Sequence, residues 1–245
     1  MNVSRLSASA VVVAALSLAA GCGWFSKPAP ATTTETVATE KKSPLPGLDP
    51  ETPVRQKVVM LGDSLTAGLG VFQIEAYPAL VQAKLDTEGY PFEVVNAGES
   101  GDTSASALRR VDWLLDPAVK ILVVAVGGND ALRGISPKST RENIAGIIEK
   151  ASAKGVNVML CGMEAPPNLG EDYVVAFRAL FSSLKSEYSG VRFLPFLLEG
   201  VAGDAALNQA DGIHPTAAGQ QIIAGHVYDQ LKPMIDDLMS RSGGL

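Results

Sequence analysis

The chain has 245 residues, of which 47% are hydrophobic and 19% are charged, a composition typical of a globular protein of one or two domains. Its formal net charge is −6 at pH 7, and it has no run of lysine and arginine, so the sequence argues against a nucleic-acid partner. It contains no cluster with the spacing of metal ligands, and we expect neither a metal nor another cofactor.

Residues 1–21 have the features of a leader peptide for export. Arg5 supplies the positive charge, and residues 8–20 are apolar or small, a run shorter than the ~20 residues of a membrane span. The run ends in the letters LAAGC, the last of which is Cys22. This ending resembles the lipobox of bacterial lipoproteins, although Ala19 stands where leucine is commonest. The resemblance implies that Cys22 becomes the lipidated first residue after cleavage. The alternative is an ordinary secretory signal followed by a chance cysteine.

A lipidated Cys22 implies a protein anchored in the bacterial cell envelope. Gly23 and Trp24 provide no acidic residue after the cysteine, so in a Gram-negative cell the resemblance implies the outer membrane, facing the periplasm. Residues 23–53 are rich in Pro, Thr, Ala and charge, and such a stretch cannot bury enough apolar surface to offset its ordering entropy. We therefore expect a lipidated cysteine and flexible tether over 22–53, a globular domain over 54–240 and a short tail over 241–245.

From residue 54 onward the chain alternates strand-like and helix-like segments. The predicted strands are short and mostly rich in Val, Ile, Leu or Phe, as buried parallel strands are: Val58–Leu61, Phe92–Asn96, Ile121–Val126, Val156–Cys161 and Val191–Pro195. The predicted helices are Tyr77–Glu88, Ser104–Leu115, Thr140–Lys154, Tyr173–Tyr188 and Thr216–Met239. This alternation predicts an α/β fold, a three-layer α/β/α sandwich around a mainly parallel five-stranded sheet of the flavodoxin-like kind. Cys161, inside an apolar run, is predicted to be a buried thiol without a disulfide.

Small and polar residues follow three of the predicted strands. The first strand leads into Gly62-Asp63-Ser64, the second into residues 98–103, and the third into Gly127-Gly128-Asn129-Asp130. The carboxyl ends of parallel strands share one edge of the sheet, where functional groups collect. Glycine-rich turns expose backbone N–H groups, and an asparagine amide can donate beside them. These are the hydrogen-bond donors that an oxyanion hole requires. The chain has neither the GxGxxG fingerprint here nor a Walker lysine. A serine that only caps a turn is the alternative for Ser64.

A serine nucleophile needs a base, and the chain has only two histidines. His226 lies inside the last predicted helix among apolar residues, which favours a half-buried structural role. His214 lies in a loop just before that helix, where Pro215 suits the first helical turn. Asp211, three residues earlier, can accept a hydrogen bond from the imidazole and stabilise its protonated form. The pattern predicts His214 as the base and Asp211 as its partner.

The chain resembles the SGNH (GDSL) hydrolase family in four blocks that occur in the family's order: GDSL at 62–65, SGDT at 100–103, GGND at 127–130 and DGIHP at 211–215. The resemblance spans roughly residues 55–239 and is strongest to the bacterial thioesterase I, lysophospholipase L1 and arylesterase branch. It implies an SGNH hydrolase fold, a serine nucleophile and an oxyanion hole. The implied roles are those of Ser64, His214 and Asp211 as catalytic residues and of the Ser64 N–H, the Gly101 N–H and the Asn129 side chain as oxyanion donors.

The implied reaction is hydrolysis of a carboxylic ester or thioester through an acyl-enzyme, with a small-molecule ester or lipid as substrate and no metal. One alternative is a carbohydrate O-acetyl esterase, which would use the same residues. The other is a surface lipoprotein that binds acyl chains and is not an enzyme. The intact set of Ser64, Gly101, Asn129 and His214 speaks against the non-catalytic alternative, whereas the sequence leaves the O-acetyl esterase and the oligomeric state open.

Residues beside the four blocks are predicted to support the site and not to take part in the reaction. Asp63 and Asp130 are predicted to brace the loops, and Asp102-Thr103 to begin a helix. The segments Leu132–Pro137 and Glu164–Gly170 follow the third and fourth strands and could form walls of an acyl pocket.

Overall fold

The computed structural model describes residues 55–242. The predicted leader peptide, the predicted lipidation site Cys22 and the predicted tether all lie outside the described residues, as do residues 243–245. None of the helices in the described part of the chain combines the length and the apolar character that a membrane span requires.

Five parallel strands form one sheet in the order β2-β1-β3-β4-β5. The strands are β1 (Gln56–Gly62), β2 (Phe92–Gly98), β3 (Val119–Ala125), β4 (Asn157–Cys161) and β5 (Arg192–Leu194). The central strands β1 and β3 are apolar and buried almost throughout, because helices cover the sheet on both faces. The predicted five-stranded parallel sheet is confirmed.

Seven α-helices are present in the described part of the chain. They are α1 (Ser64–Ala67), α2 (Tyr77–Thr87), α3 (Ser104–Leu114), α4 (Gly128–Leu132), α5 (Pro137–Ala153), α6 (Glu171–Glu187) and α7 (Ala217–Ser242). Short 3₁₀ helices occur at Gln73–Glu75 and Pro167–Leu169.

The helices form two layers, one on each face of the sheet. Helices α2 and α7 pack against each other, whereas α3 packs on α5 and α5 on α6. Right-handed crossovers predict the same two layers. The connection from β1 to β2 runs across the sheet in one direction and the later connections run in the other, so their helices lie on opposite faces. The predicted three-layer α/β/α sandwich is confirmed.

The sequence missed two short helices and misplaced several boundaries. Helices α1 and α4 have only four and five residues, too few for a helical hydrophobic pattern to show. Helices α5 and α6 begin three and two residues before their predicted starts, because their first turns are polar and lack the apolar periodicity. Helix α7 continues to Ser242, so the first two residues of the predicted tail belong to this helix.

The register of the sheet places three strand ends side by side. Gly62 at the end of β1 pairs with Gly98 of β2 on one side and with Ala125 of β3 on the other. The strand order reverses at β1, and in open α/β sheets ligands bind in the crevice outside the strand ends at such a reversal. The segments after β1, β2 and β3 therefore meet at one edge.

Cys161 lies at the end of β4 and is fully buried. Burial in this apolar setting raises the pKa of its thiol to about 12. The predicted burial of this thiol is confirmed, and Cys161 forms no disulfide within the described residues.

Candidate active site

Two paired glycines let helix α1 lie directly on the ends of β1 and β2. A Cβ on Gly98 would come within 2.2 Å of the Ala67 backbone nitrogen, and a Cβ on Gly62 within 1.9 Å of the Thr66 Oγ1 atom. Any side chain at these two positions would push α1 away from the sheet. The short helix, and with it Ser64, is therefore held close to the strand ends.

Asp63 caps helix α1 and so fixes the backbone of Ser64. Its carboxylate accepts a hydrogen bond from the Leu65 N–H at 3.0 Å. Ser64 is the first residue of the helix, where backbone N–H groups have no partner within the helix. Ser64 thus offers both a hydroxyl and a backbone donor at the carboxyl edge of the sheet.

Gln220 of α7 forms hydrogen bonds with both α1 and α2. Its side-chain nitrogen donates to the Leu65 carbonyl at 3.2 Å, and its side-chain oxygen accepts from the Tyr77 N–H at 2.8 Å. Gln220 is buried, and no sequence pattern pointed to it. The residue joins α1, which carries Ser64, to α7, the helix that follows the His214 loop.

The loop that carries His214 is fixed by its own backbone and by Asp211. The Gln209 N–H donates to the His214 carbonyl at 2.7 Å, and the Thr216 N–H donates to the Leu207 carbonyl at 2.8 Å. One oxygen of Asp211 accepts from the N–H groups of Ile213 and His214, each at 3.0 Å. The loop therefore folds back on itself and holds the imidazole in place.

Ser64, His214 and Asp211 form a continuous hydrogen-bonded series. The Nε2 atom of His214 lies 2.9 Å from the Ser64 Oγ, and its Nδ1 atom lies 2.7 Å from the second carboxylate oxygen of Asp211. The hydrogen bond from His214, together with those from the loop backbone, lowers the pKa of Asp211 to about 2. Asp211 is thus charged throughout the neutral range, although its side chain is 47% exposed. Such a series can move a proton from a serine hydroxyl to an imidazole.

Gly101 occupies a tight turn after β2. The Asp102 N–H donates to the Glu99 carbonyl at 3.0 Å, and Gly101 has a φ of +87°, which fits a type II turn with glycine at its third position. A Cβ here would meet nothing closer than 3.7 Å, so backbone conformation rather than space requires glycine. Arg133 donates to the Gly101 carbonyl at 2.9 Å and secures the turn.

Asn129 lies in the first turn of α4, directly across from Asp63. Its amide nitrogen is 3.4 Å from the second carboxylate oxygen of Asp63, so the two loops after β1 and β3 are joined. Asp63 is only 1% exposed, and burial raises the pKa of its carboxyl to about 6. The predicted bracing by Asp63 is present, and it sets the orientation of the Asn129 amide.

The Asp63 carboxylate costs stability at neutral pH. Its pKa is about 6 in the folded protein against a usual 3.8, so the folded state binds this proton more tightly than the unfolded state does. Stability contributed by this group is therefore present at about pH 4 and is lost as the pH rises through about 6. We expect Asp63→Asn to remove this pH dependence, so that the difference in unfolding free energy between about pH 4 and pH 8 shrinks by about 1–3 kcal/mol.

The same substitution is expected to lower activity, because an amide nitrogen at position 63 would face the Asn129 amide nitrogen and leave it without an acceptor. We expect kcat to fall about tenfold while the fold is retained. Thermal unfolding at pH 8 and about pH 4, with kcat at pH 8, checks both effects. A variant whose unfolding free energy still differs between the two pH values by as much as that of the wild type would contradict the assignment of this pH dependence to Asp63.

Asp130 is a second brace, as predicted. It is fully buried and accepts hydrogen bonds from the Ser104 N–H at 2.8 Å, the Ser104 hydroxyl at 2.5 Å and the Thr140 hydroxyl at 3.1 Å. Thr103 caps α3, so the helix start predicted at Asp102-Thr103 is also confirmed. These contacts join the loops after β2 and β3.

Arg110 of α3 is a brace that the sequence did not reveal. Its guanidinium pairs with Asp102 at 2.7 Å and donates to the carbonyls of Gly62 at 3.1 Å and Ala97 at 2.8 Å. It therefore binds the ends of β1 and β2 together beneath the site. A single arginine within a helical pattern carries no sequence signal for this position.

Ser64 and His214 open into a cleft of about 670 Å³, within the usual size range of small-molecule sites. Gly101 and Asn129 line the same cleft, and Asp211 bonds to His214 behind it, so the structure brings together all five predicted site residues of the described part of the chain. Much of the wall is apolar: Leu69, Leu132, Met163, Ala165, Pro166, Pro167, Phe196, Leu198, Ala202 and Ile213.

The cleft wall was predicted only in part. Leu132 and residues 164–167 come from the two segments expected to border a pocket. The wall formed by residues 196–203, after β5, was not predicted, because that segment has no motif and no regular periodicity. Among residues 55–242, no group of histidine, cysteine, aspartate or glutamate side chains is arranged to hold a metal ion.

The chain is similar to several known hydrolases. The sequence pattern described as the GDSL-like lipase/acylhydrolase family matches residues 60–222. Esterase TesA of Pseudomonas aeruginosa is 40% identical over 181 residues, which are 74% of this chain and 90% of that protein. Thioesterase 1/protease 1/lysophospholipase L1 of Escherichia coli is 36% identical over 180 residues, which are 73% of this chain and 85% of that protein.

The fold comparison agrees with the sequence comparison. A crystal structure of TesA superposes with a TM-score of 0.70 at 40% identity and covers 73% of this chain and 99% of the other. The predicted resemblance to the thioesterase I, lysophospholipase L1 and arylesterase branch is confirmed. The chain therefore belongs to the GDSL-like lipase/acylhydrolase family, the SGNH hydrolases, and is a hydrolase of ester bonds.

Proposed function

We propose that this hydrolase works through an acyl-enzyme formed on Ser64, with His214 as general base and acid and Asp211 as the partner of the imidazole. The observation that carries the proposal is the hydrogen-bonded series itself: 2.9 Å from the Ser64 Oγ to His214 and 2.7 Å from His214 to Asp211. Both distances lie within the reach that proton transfer requires.

In the first half-reaction, the Ser64 Oγ attacks the ester or thioester carbonyl carbon while the Nε2 atom of His214 takes the hydroxyl proton. The charged Asp211 stabilises the imidazolium that results. The carbonyl oxygen becomes an oxyanion, for which the Ser64 N–H, the Gly101 N–H and the Asn129 amide are the proposed donors. Collapse of the tetrahedral intermediate breaks the bond to the leaving group, which departs with the proton from His214 as an alcohol or thiol.

In the second half-reaction, water attacks the acyl carbon of the Ser64 ester as His214 takes one of its protons. The second tetrahedral intermediate uses the same donors, and its collapse returns the proton to the Ser64 Oγ. The products are the free carboxylic acid and the resting enzyme. The polar Asp63–Asn129 contact keeps the asparagine amide oriented during both steps.

The cleft favours an acyl group of apolar character over a glycan. Its wall beside Ser64 is largely apolar, and the carboxylate of Glu164 at its border is paired with Arg178 at 3.0 Å. A glycan acetylesterase needs polar groups that match the sugar hydroxyls, and few polar side chains other than the proposed catalytic ones line this cleft. We therefore propose carboxylic esters and thioesters with apolar acyl chains as substrates.

A substrate series tests this proposal. The purified enzyme is assayed with p-nitrophenyl esters of increasing chain length, an acyl-coenzyme A, a lysophospholipid and an acetylated xylan, with kcat/KM measured for each. We expect kcat/KM to rise from the acetyl ester to esters of medium chain length as the apolar wall becomes filled. A preference for the acetylated glycan over every acyl ester would overturn the proposed substrate class.

We also propose that Cys22 carries a lipid anchor and that the protein faces the periplasm from the outer membrane. The LAAGC ending supports the anchor, and the absence of an acidic residue at Gly23-Trp24 supports the outer membrane. The composition of residues 23–53 supports a tether that lets the anchor and the active site act independently.

The anchor is tested by replacing residues 1–21 with a cleavable, non-lipoprotein secretory leader and changing Cys22 to serine. We expect the mature variant to leave the membrane pellet that holds the wild-type protein after cell fractionation. The turnover of a soluble ester by the purified protein is expected to stay the same, because the site lies wholly in the described domain. Labelling with a radioactive fatty acid provides the direct check, and absence of label from the wild-type protein would refute lipidation.

A further inference from the structure

The mouth of the cleft is bordered by apolar side chains that project into solvent. Eight large apolar side chains are exposed in the described part of the chain, and five of them belong to the cleft or to the loop beside it: Leu69, Phe72, Ile74, Leu132 and Ile213. Leu69, Leu132 and Ile213 line the cleft itself. We call these five residues the apolar rim.

The loop between α1 and α2 holds the two most exposed members of the rim outward. Phe72 is 77% exposed and Ile74 is 79% exposed. The Phe72 N–H donates to the Glu75 carboxylate at 2.9 Å, and the Glu75 N–H donates to the Phe72 carbonyl at 2.8 Å. The side chains are thus presented by a hydrogen-bonded 3₁₀ turn, and keeping them in water is unfavourable.

The loop with Phe72 is joined to the His214 loop. The Gln209 side-chain nitrogen donates to the Leu69 carbonyl at 2.7 Å, and Phe72 and Gln209 line one shallow depression next to the cleft. The rim is therefore continuous with the place where a substrate enters. A surface that binds the rim would lie against the entrance to the site.

A lipid anchor at Cys22 would limit the distance of the domain from a membrane but would not orient it. The described domain begins at the amino end of β1, whereas the cleft lies at the carboxyl ends of the strands. The 32 residues from 23 to 54 could span up to roughly 105 Å when extended, ample for either edge to face the bilayer. Orientation must come from the surface of the domain, and the apolar rim is the surface that fits a lipid layer.

We propose that the apolar rim docks on a phospholipid bilayer, with Phe72 and Ile74 entering the boundary between headgroups and acyl chains, so that the cleft opens onto the lipid surface. Apolar side chains that enter this boundary contribute binding in proportion to the apolar area they bury. A substrate whose acyl chain resides in the bilayer then passes into the cleft without crossing water. The docking is independent of the proposed roles of Ser64 and His214.

The test uses the mature chain from residue 22 with Cys22→Ser, so that no lipid anchor contributes. Binding is measured by flotation with vesicles of phosphatidylethanolamine and phosphatidylglycerol. The double variant Phe72→Ser/Ile74→Ser is expected to lower the partition coefficient on the order of tenfold to hundredfold. Neither residue lines the cleft, so kcat/KM for the water-soluble p-nitrophenyl acetate is expected to remain unchanged. Hydrolysis of an ester embedded in the vesicles falls with binding.

Trp113 provides the matched control. It is 88% exposed on α3, away from the residues that line the cleft. Trp113→Ser is expected to leave vesicle binding unchanged. Equal losses for Trp113→Ser and the double variant, or no loss for the double variant, would overturn the proposal. So would a dimer in light scattering that dissociates in the double variant without any vesicle binding by either protein, because a second copy would then cover the rim.

Discussion

Replacing Ser64 with alanine is expected to abolish ester hydrolysis and leave the fold intact. The hydroxyl faces the cleft and bonds to His214, so its removal disturbs little of the core packing. The loss in kcat is expected to be on the order of 10⁵–10⁶, as for other serine hydrolases that lose their nucleophile. Steady-state kinetics with a p-nitrophenyl ester gives the loss, and circular dichroism with thermal unfolding verifies the fold.

Ser100 offers a matched control for this substitution. It lines the same cleft, but its hydroxyl is not part of the series through His214. Ser100→Ala is expected to keep most of the activity. If Ser64→Ala retained activity within a few-fold of the wild type, the nucleophile would have to be another group.

The second large effect is expected for Asp211→Asn. The carboxylate oxygen that faces the Nδ1 atom of His214 would be replaced by an amide nitrogen, which favours the tautomer with a proton on Nε2. An Nε2–H cannot accept the proton of Ser64. The corresponding change in a serine protease costs about 10⁴ in kcat, and we expect a loss on the order of 10²–10⁴ here. The lower end of this range allows for the 47% exposure of Asp211, because water can then take over part of its role.

His226 provides the control for the His214 assignment. It lies within α7, and its Nδ1 atom is buried without a hydrogen-bond partner among the described residues. His226→Gln is expected to leave the pH dependence of kcat/KM unchanged, whereas His214→Gln removes activity at every pH. If the two variants behaved in the opposite way, both the base and the role of Asp211 would be wrongly assigned.

The sequence predicted the fold, and it predicted which residues meet at the candidate site, because most of these signals are local. Buried parallel strands are continuous apolar runs, and β1 and β3 have that character almost throughout. The DGIHP block is equally local, since Asp211 and His214 are three residues apart and meet within one loop. Ser64 and His214 are 150 residues apart, and the strand–helix alternation together with the four blocks indicated their meeting.

What the sequence could not predict depends on contacts between distant segments. Gln220 bonds to Leu65 and Tyr77, more than 140 residues away, and its position in α7 carries no pattern that indicates this. The hydrogen bonds from Arg110 to the ends of two strands are likewise contacts between distant segments, and no local pattern indicates them. The outward projection of Phe72 and Ile74 is also a tertiary property, because apolar residues in a sequence normally indicate burial.

Covalent labelling of Ser64 by an organophosphonate measures the central assignment most directly. The wild-type protein is inactivated with a fluorophosphonate, and the modified peptide is identified by mass spectrometry. We expect one label per chain, located on Ser64, with loss of activity in proportion to labelling, and no label in the Ser64→Ala variant. Complete inactivation with the label on any other residue, or full labelling of Ser64 with activity retained, would contradict an acyl-enzyme on this serine.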